Sequence, residues 1–220
     1  GEAVDTDLTI YRFRTETARD AVLEHFDKSG RRAAMRRRRQ LAGALVDLYG
    51  EESDHAGSIG KLYLAGGQAP EALPHLLSGM LKRKSQGRFV EAAELHEFLQ
   101  QAIEAGAEIP SEELPNYHLE WADLQLTLGD REGADSTLNS GEFREASPEL
   151  AKAGMLRFKM HATAGAFEEG HKCLQKISNV IELLNDKEIE IRYRTNLSIV
   201  LRYKYNSILL SCYLTNLTWI

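Results

Sequence analysis

The sequence predicts an all-α fold, a right-handed solenoid of antiparallel helix pairs with one possible short strand near the N-terminus. Three observations lead to this prediction. Only five of the 220 residues are proline and 8% are aromatic, while the good helix formers Ala, Leu, Glu and Arg are abundant. Apolar residues recur at helical spacing along most of the chain. Glycines interrupt these apolar stripes at long, similar intervals.

Three of these glycines, Gly87, Gly129 and Gly165, are predicted hinges between the two helices of a pair. They lie 42 and 36 residues apart, and a small residue follows each five positions later. Two are also followed by phenylalanine two positions later. The predicted repeat-packing residues after the hinges are Phe89, Ala92, Ala134, Phe167 and Gly170. Two helices in about 34 to 40 residues are typical of tetratricopeptide-like repeats, whose pairs bury their apolar faces only by stacking.

The remaining regions flank the predicted repeats, which span residues 51–190. Residues 1–50 contain a strand candidate at Leu8–Arg14, and they are interpreted as an N-capping helical segment or, by family resemblance, as the end of a winged-helix-like segment. An Arg-rich helix, Arg31–Tyr49, follows within this region, and its predicted core-facing stripe is Ala34, Leu41, Leu45 and Leu48.

Residues 191–220 contain neither Asp nor Glu and are interpreted as a C-terminal capping helix or an atypical tail. The part from Ile191 to about Tyr205 is expected to dock on the helix Phe167–Leu184, whose apolar stripe would otherwise face solvent. Beyond Asn206 the chain lacks the hinge spacing of the repeats, and it is expected to be less regular or to be completed by contact with a second molecule.

The order of segments in the N-terminal half resembles a known junction in bacterial signalling proteins. The strings that carry the resemblance are YRFRTETARDAVLEHF, RRAAMRRRRQLAGALVDLYG and KLYLAGGQAPEALPHLLSGMLKRKSQGRFVEAAELHEFLQQAI. They resemble the end of the winged-helix region and the start of the helical-repeat arm in STAND-class ATPases linked to kinase, cyclase or transcription-factor domains. The resemblance covers residues 8–105 and implies a regulatory arm. The nucleotide-binding module of the family does not occur in this sequence, so ATPase activity would lie outside it.

No enzymatic motif is found, and no catalytic residue, cofactor or metal ion is expected. A phosphate-binding loop needs G-x-x-x-x-G-K-[ST], but around Gly60 the first glycine is replaced by His55 and the hydroxyl residue by Leu62. Seven histidines lack metal-ligand spacing, and His96 is interpreted as a packing residue. Cys173 and His171 would face different ways on a helix, which disfavours a nucleophile–base pair.

The strongest charge feature is the run Arg36, Arg37, Arg38 and Arg39, within the segment Arg31–Arg39. Such a run could contact a partner or phosphate groups, since clustered arginines release counterions from nucleic acid. The alternative is a solvated helix face that pairs with neighbouring carboxylates. The net charge of -6 and the lack of an aromatic platform favour the second interpretation.

The sequence therefore predicts a non-catalytic interaction and regulatory scaffold that binds a protein or peptide segment. Nucleic-acid binding through the Arg31–Arg39 helix and small-molecule sensing between repeats are the alternatives. No signal peptide or membrane-spanning stretch is recognised, so a cytoplasmic protein is expected.

Overall fold

The computed structural model describes residues 30–50 and 54–217, and of residues 207–217 the backbone only. Within these ranges the chain is all-helical and contains no strand, which confirms the predicted all-α class for the described part. The strand candidate Leu8–Arg14 lies outside the described residues. The helices are α1 (Arg31–Tyr49), α2 (Ala56–Ala65), α3 (Ala69–Ser85), α4 (Phe89–Glu104), α5 (Leu114–Leu128), α6 (Arg131–Ser140), α7 (Pro148–Thr163), α8 (Phe167–Leu184) and α9 (Lys187–Leu217).

The chain divides into two compact units. The first consists of Gly1–Gly79 and Leu95–Ala107, and the second of Met80–Glu94 and Glu108–Ile220. In the first unit, α1 packs on α2. Helices α2 and α3 approach until backbone meets backbone, since a Cβ atom added to Gly79 would lie 2.6 Å from the Cα of Gly57.

Four tight turns between consecutive helices share one hydrogen-bond pattern. Each contains a glycine with φ between 75° and 88°, and these are Gly67, Gly87, Gly129 and Gly165. In each turn the glycine N–H donates to the carbonyl three residues earlier, and the next N–H donates to the carbonyl five residues before it. This pattern ends a helix with a left-handed residue, for which glycine has no Cβ penalty. Gly67 was not among the predicted hinges. It has the same spacing as they do, because Ala72, five positions later, is fully buried.

The predicted core-facing stripe of α1 is wrong at two positions. Leu41 and Leu48 are 52% and 53% exposed, whereas Ala34 and Ala42 are buried. The buried positions of α1 are therefore alanines, whose small side chains leave room for a neighbouring backbone, and the larger Leu41 and Leu48 are exposed.

In the second unit, successive helices stack through two apolar clusters. Helices α5, α6 and α7 contact one another, and α9 contacts both α7 and α8. The first cluster centres on Leu119, Leu138 and Ala153. The second joins α7, α8 and α9 and consists of Ala151, Met155, Phe158, Leu174, Ile177, Ile181, Ile189 and Val200.

Helix α9 is more regular than the sequence analysis predicted. It begins at Lys187 and continues without a break to Leu217, so the expected loss of regularity beyond Asn206 is wrong. No glycine or proline occurs between these two residues, and the backbone therefore meets nothing that ends a helix. Near its middle, α9 is fixed to the start of α8 by the stacked rings of Phe167 and Tyr203, whose centroids are 4.2 Å apart.

Candidate functional site

The small residues predicted to allow close packing lie at buried positions. Ala92 and Ala134 are fully buried. Gly170 of α8 is also buried, and a Cβ atom added to it would lie 3.0 Å from the Phe158 ring of α7. Of the two hinge phenylalanines, Phe89 is half-buried and Phe167 stacks on Tyr203. These residues build the helix pairs, but they do not form a site.

A cleft of the second unit lies along α5, α7 and α9 and has a volume of about 680 Å³. Its apolar lining consists of Leu119, Met155, Leu156, Phe158, Ala162, Phe167, Ile191 and Ile199. The α7 side runs from Lys152 to Thr163, which corresponds to about 16 Å of helix at about 1.5 Å per residue. That length matches about five residues of an extended peptide.

The lining residues of this cleft recur at one interval along the chain. Leu119 of α5, Met155 of α7 and Ile191 of α9 are 36 residues apart in succession. The same interval separates Asp123 from Lys159, which form an ion pair. The hinge glycines Gly129 and Gly165 are separated by the same interval of 36 residues. Each of the three helices therefore presents the same helical position to the cleft.

Helix α9 carries two apolar stripes, and one of them belongs to the cleft. Ile189 and Val200 are buried against α7 and α8. Ile191 and Ile199, on the cleft side, are 65% and 44% exposed. These two isoleucines form the second stripe, which lies opposite the apolar surface of α5 and α7. It has no packing partner among the described residues. This site was not predicted from the sequence. A comparison of the first helices of successive pairs at the 36-residue interval would have located it.

A network of charged side chains occupies one end of the cleft. The Lys84 ammonium donates to Glu120 Oε2 at 2.6 Å and forms an ion pair with Asp123 Oδ2 at 2.8 Å. Lys159 donates to the other oxygen of Asp123 at 2.7 Å. The Lys84 side chain is 14% exposed, so its charge is largely removed from water and depends on the two carboxylates.

The network shifts the pKa values of its buried members. Burial alone would lower the pKa of Lys84, but hydrogen bonds and charge from Asp123 and Glu120 outweigh it, and the pKa is raised. Burial alone would raise the pKa of Asp123, but its hydrogen bonds to Lys159 and Lys84 outweigh burial, and the pKa is lowered. Both groups are therefore charged at neutral pH, and their ion pairs join α3, α5 and α7.

We expect Asp123→Asn to lower the free energy of unfolding by about 1 to 2 kcal/mol at pH 7, because Lys84 loses a charged partner while it remains largely buried. Since the folded pKa of Asp123 is lowered, its stabilisation is fully present above its usual pKa of about 4. It is lost as the pH falls through the folded value. Urea unfolding at neutral and acidic pH, followed by circular dichroism, measures both effects.

The matched control is Glu188→Gln, another carboxylate-to-amide change. Glu188 pairs with Arg192, but the two side chains are 75% and 63% exposed. Exposed pairs contribute about 0 to 1 kcal/mol, so this control should change stability by less than Asp123→Asn. Equal effects of the two substitutions would contradict a buried network at Asp123.

The structure separates the four predicted Arg contacts into two groups. Arg36 and Arg39, together with Arg32, line a shallow hollow beside Gln68 in the first unit. Arg37 and Arg38 take part in other interactions, and Arg38 is half-buried. Only Arg36 and Arg39 of the run therefore share one surface.

No metal or nucleophilic centre is found among the described residues. They include no group of three or more His, Cys, Asp or Glu side chains that could hold a metal ion. His96 is buried, with its Nε2 3.2 Å from the Nε2 of Gln100. Burial raises the pKa of the Cys173 thiol, and the Nδ1 of His171 lies 3.1 Å from the Lys204 ammonium. A raised thiol pKa is the opposite of what an activated cysteine needs.

In residues 30–50 and 54–217, no helix combines the length and apolar character required to cross a membrane. No protein-family model, no curated protein and no solved structure matches this chain.

Proposed function

We propose that the chain is a non-catalytic helical-repeat scaffold whose cleft along α5, α7 and α9 binds a segment of another protein. The observation that carries the proposal is the recurrence of Leu119, Met155 and Ile191 at 36-residue intervals along one open, apolar cleft. A repeating apolar row on successive helices is the kind of extended surface that helical-repeat proteins use for binding.

The finer architecture belongs to the same proposal. We infer a tetratricopeptide-like solenoid in which α5–α6 and α7–α8 are two successive pairs and α9 is the first helix of the next. Contacts of α7 with α5 and α6, and of α9 with α7 and α8, support this order, because each helix that begins a pair packs on the preceding pair. By its resemblance to STAND-class ATPases, the scaffold would act as the regulatory arm of a signalling protein.

The charges around the cleft indicate the chemistry of the bound segment. Lys152, Lys159 and Arg192 border its apolar surface together with Lys84, whereas Glu120 and Asp123 are its only carboxylates among the described residues. Both carboxylates are already paired with lysine, and Arg192 is paired with Glu188. Lys152 has no ionic partner within the described chain and therefore supplies the unpaired positive charge. The cleft therefore favours a segment with apolar side chains next to Asp or Glu, since complementary charge guides association and specificity.

A random peptide library of about twelve residues is a direct probe of this proposal, because each peptide can place about five extended residues in the cleft at any position along its length. Peptides selected on the wild-type chain should combine apolar residues with carboxylates. Ile191→Asp should weaken their binding at least tenfold, because it removes an apolar contact and adds a repelling charge. Fluorescence anisotropy of labelled selected peptides measures the dissociation constants.

Leu183→Asp supplies the matched control. Leu183 of α8 is 72% exposed and does not line the cleft, so the same change there should leave binding within twofold. Lys152→Glu should weaken acidic peptides more than neutral ones. The proposal is wrong if no peptide is enriched, or if the Ile191 and Leu183 variants bind the selected peptides equally well.

A further inference from the structure

Three arginines of α1 form a row on one side of the helix. Arg32, Arg36 and Arg39 are exposed and line one shallow hollow with Met35, Gln40 and Gln68. Their spacing of four and three residues places them on successive turns of the same helix face. The row extends about 10 Å along the helix axis, at about 1.5 Å per residue. We call Arg32, Arg36 and Arg39 the arginine row.

The turn between α2 and α3 holds this row in place. A Cβ atom added to Gly66 would lie 2.7 Å from Cγ of Arg39, and one added to Gly67 would collide with Cε of Met35. The turn therefore lies directly against α1, and the aliphatic part of Arg39 packs on a glycine backbone. A packed stem loses less conformational freedom when the guanidinium group binds a ligand.

The arginine row is a concentrated positive charge, and no carboxylate among the described residues pairs with it. None of its three side chains makes a hydrogen bond or ion pair with another residue in the described part of the chain. The carboxylate of Glu71 accepts a hydrogen bond from the Gln68 side chain at 3.0 Å. The hollow itself is lined by three guanidinium groups, two amides and one apolar side chain.

We propose that the arginine row binds the phosphate backbone of a nucleic acid. If each guanidinium group pairs with one phosphate, the three arginines neutralise about three phosphates of a strand. Guanidinium groups bind phosphate oxygens through two parallel hydrogen bonds, and the Gln40 and Gln68 amides can donate to neighbouring oxygens. These contacts are made to phosphate groups, which carry no sequence information, so binding is independent of base sequence.

An acidic peptide fits the hollow less well. Peptide recognition generally needs apolar pockets beside the charges, and Met35 is the sole apolar residue that lines the hollow. The cleft of the second unit has the opposite character, with eight apolar lining residues. The two surfaces therefore select different ligands, and this inference does not rest on the peptide function proposed for the cleft.

Fluorescence anisotropy with a labelled single-stranded oligonucleotide of about 20 nucleotides, at about 50 mM salt, tests the inference. Wild-type protein should bind, and the logarithm of the affinity should fall with the logarithm of the salt concentration with a slope of about -2, as expected for three phosphates. The triple variant R32Q/R36Q/R39Q should bind at least tenfold more weakly. Circular dichroism should show unchanged helix content, because the three side chains are exposed.

The matched control R144Q/K172Q/K176Q removes the same net charge from exposed positions of the second unit. Binding within twofold of the wild type is expected for this control. Equal losses in the two triple variants would show a general charge effect and would overturn the inference. Two other results would also overturn the inference. One is that the wild type does not bind the oligonucleotide. The other is that the wild type binds a glutamate peptide of equal charge more tightly than the oligonucleotide, and that R32Q/R36Q/R39Q abolishes this peptide binding.

Discussion

Gly79→Ala should lower the free energy of unfolding by about 1 to 3 kcal/mol, although alanine is the better helix former. The new Cβ atom would lie 2.6 Å from both Cα and N of Gly57 in the neighbouring helix. Backbone atoms of α2 cannot rotate away as a side chain does, so the two helices must separate. Separation would also loosen the neighbouring contact, where a Cβ atom on Gly60 would lie 2.9 Å from the backbone nitrogen of Leu76.

The same substitution at Gly43 of α1 is the control, and it should have the opposite sign. A Cβ atom there would lie 4.0 Å from the Tyr63 hydroxyl, its nearest neighbour, and Gly43 has no positive φ. Gly43→Ala should therefore raise stability by up to about 1 kcal/mol through helix propensity. The midpoints of urea unfolding, followed by far-ultraviolet circular dichroism, compare the two variants. If both substitutions stabilise the chain, α2 and α3 do not meet at Gly57 and Gly79.

The helix boundaries were largely predictable because glycines mark the helix ends clearly in this sequence. The predicted helix Phe167–Leu184 agrees with α8 at both ends, and the three predicted hinge glycines all have positive φ. A glycine at the end of an apolar stripe usually ends the helix, so the local sequence was enough to predict these helix ends. The faces of the helices were less predictable, as Leu41 and Leu48 show, since a face depends on which neighbour a helix meets.

The course of α9 has an explanation in the repeat interval. Hinges occur at Gly129 and Gly165, and a further 36 residues leads to Leu201. Leucine strongly disfavours the positive φ that such a turn requires. The helix therefore continues through the position where a turn would occur and reaches Leu217. The sequence analysis recognised the missing hinge but expected irregular structure rather than a longer helix.

The charged network of the cleft could not be predicted from local pattern. Lys84, Asp123 and Lys159 lie on three different helices, and each is unremarkable within its own segment. Their contact depends on how α3, α5 and α7 are placed side by side. The interval of 36 residues between Lys84 and Glu120, shared with Asp123 and Lys159, is the one feature of the sequence that relates them.

His96 should make the first unit sensitive to mild acid. This residue of α4 is 6% exposed, and burial lowers its pKa to about 4. The unfolded chain, with an ordinary histidine pKa of about 6.5, takes up the proton first as the pH falls. The stabilisation is therefore fully present above about pH 6.5 and is lost between that value and the folded pKa. The complete loss amounts to about 3 kcal/mol, at about 1.4 kcal/mol per pKa unit.

Most of this loss, about 2 kcal/mol, should occur between pH 7 and pH 5, before the carboxylates titrate. His96→Gln and His96→Leu differ in polarity and shape, so they should change stability at pH 7 by different amounts. Neither variant carries the titrating group. The difference in unfolding free energy between pH 7 and pH 5 should therefore be smaller than in the wild type by about 2 kcal/mol in both variants. Urea unfolding of the wild type and both variants at the two pH values measures that difference. A pH dependence in both variants as steep as in the wild type would show that His96 is not held neutral in the folded chain.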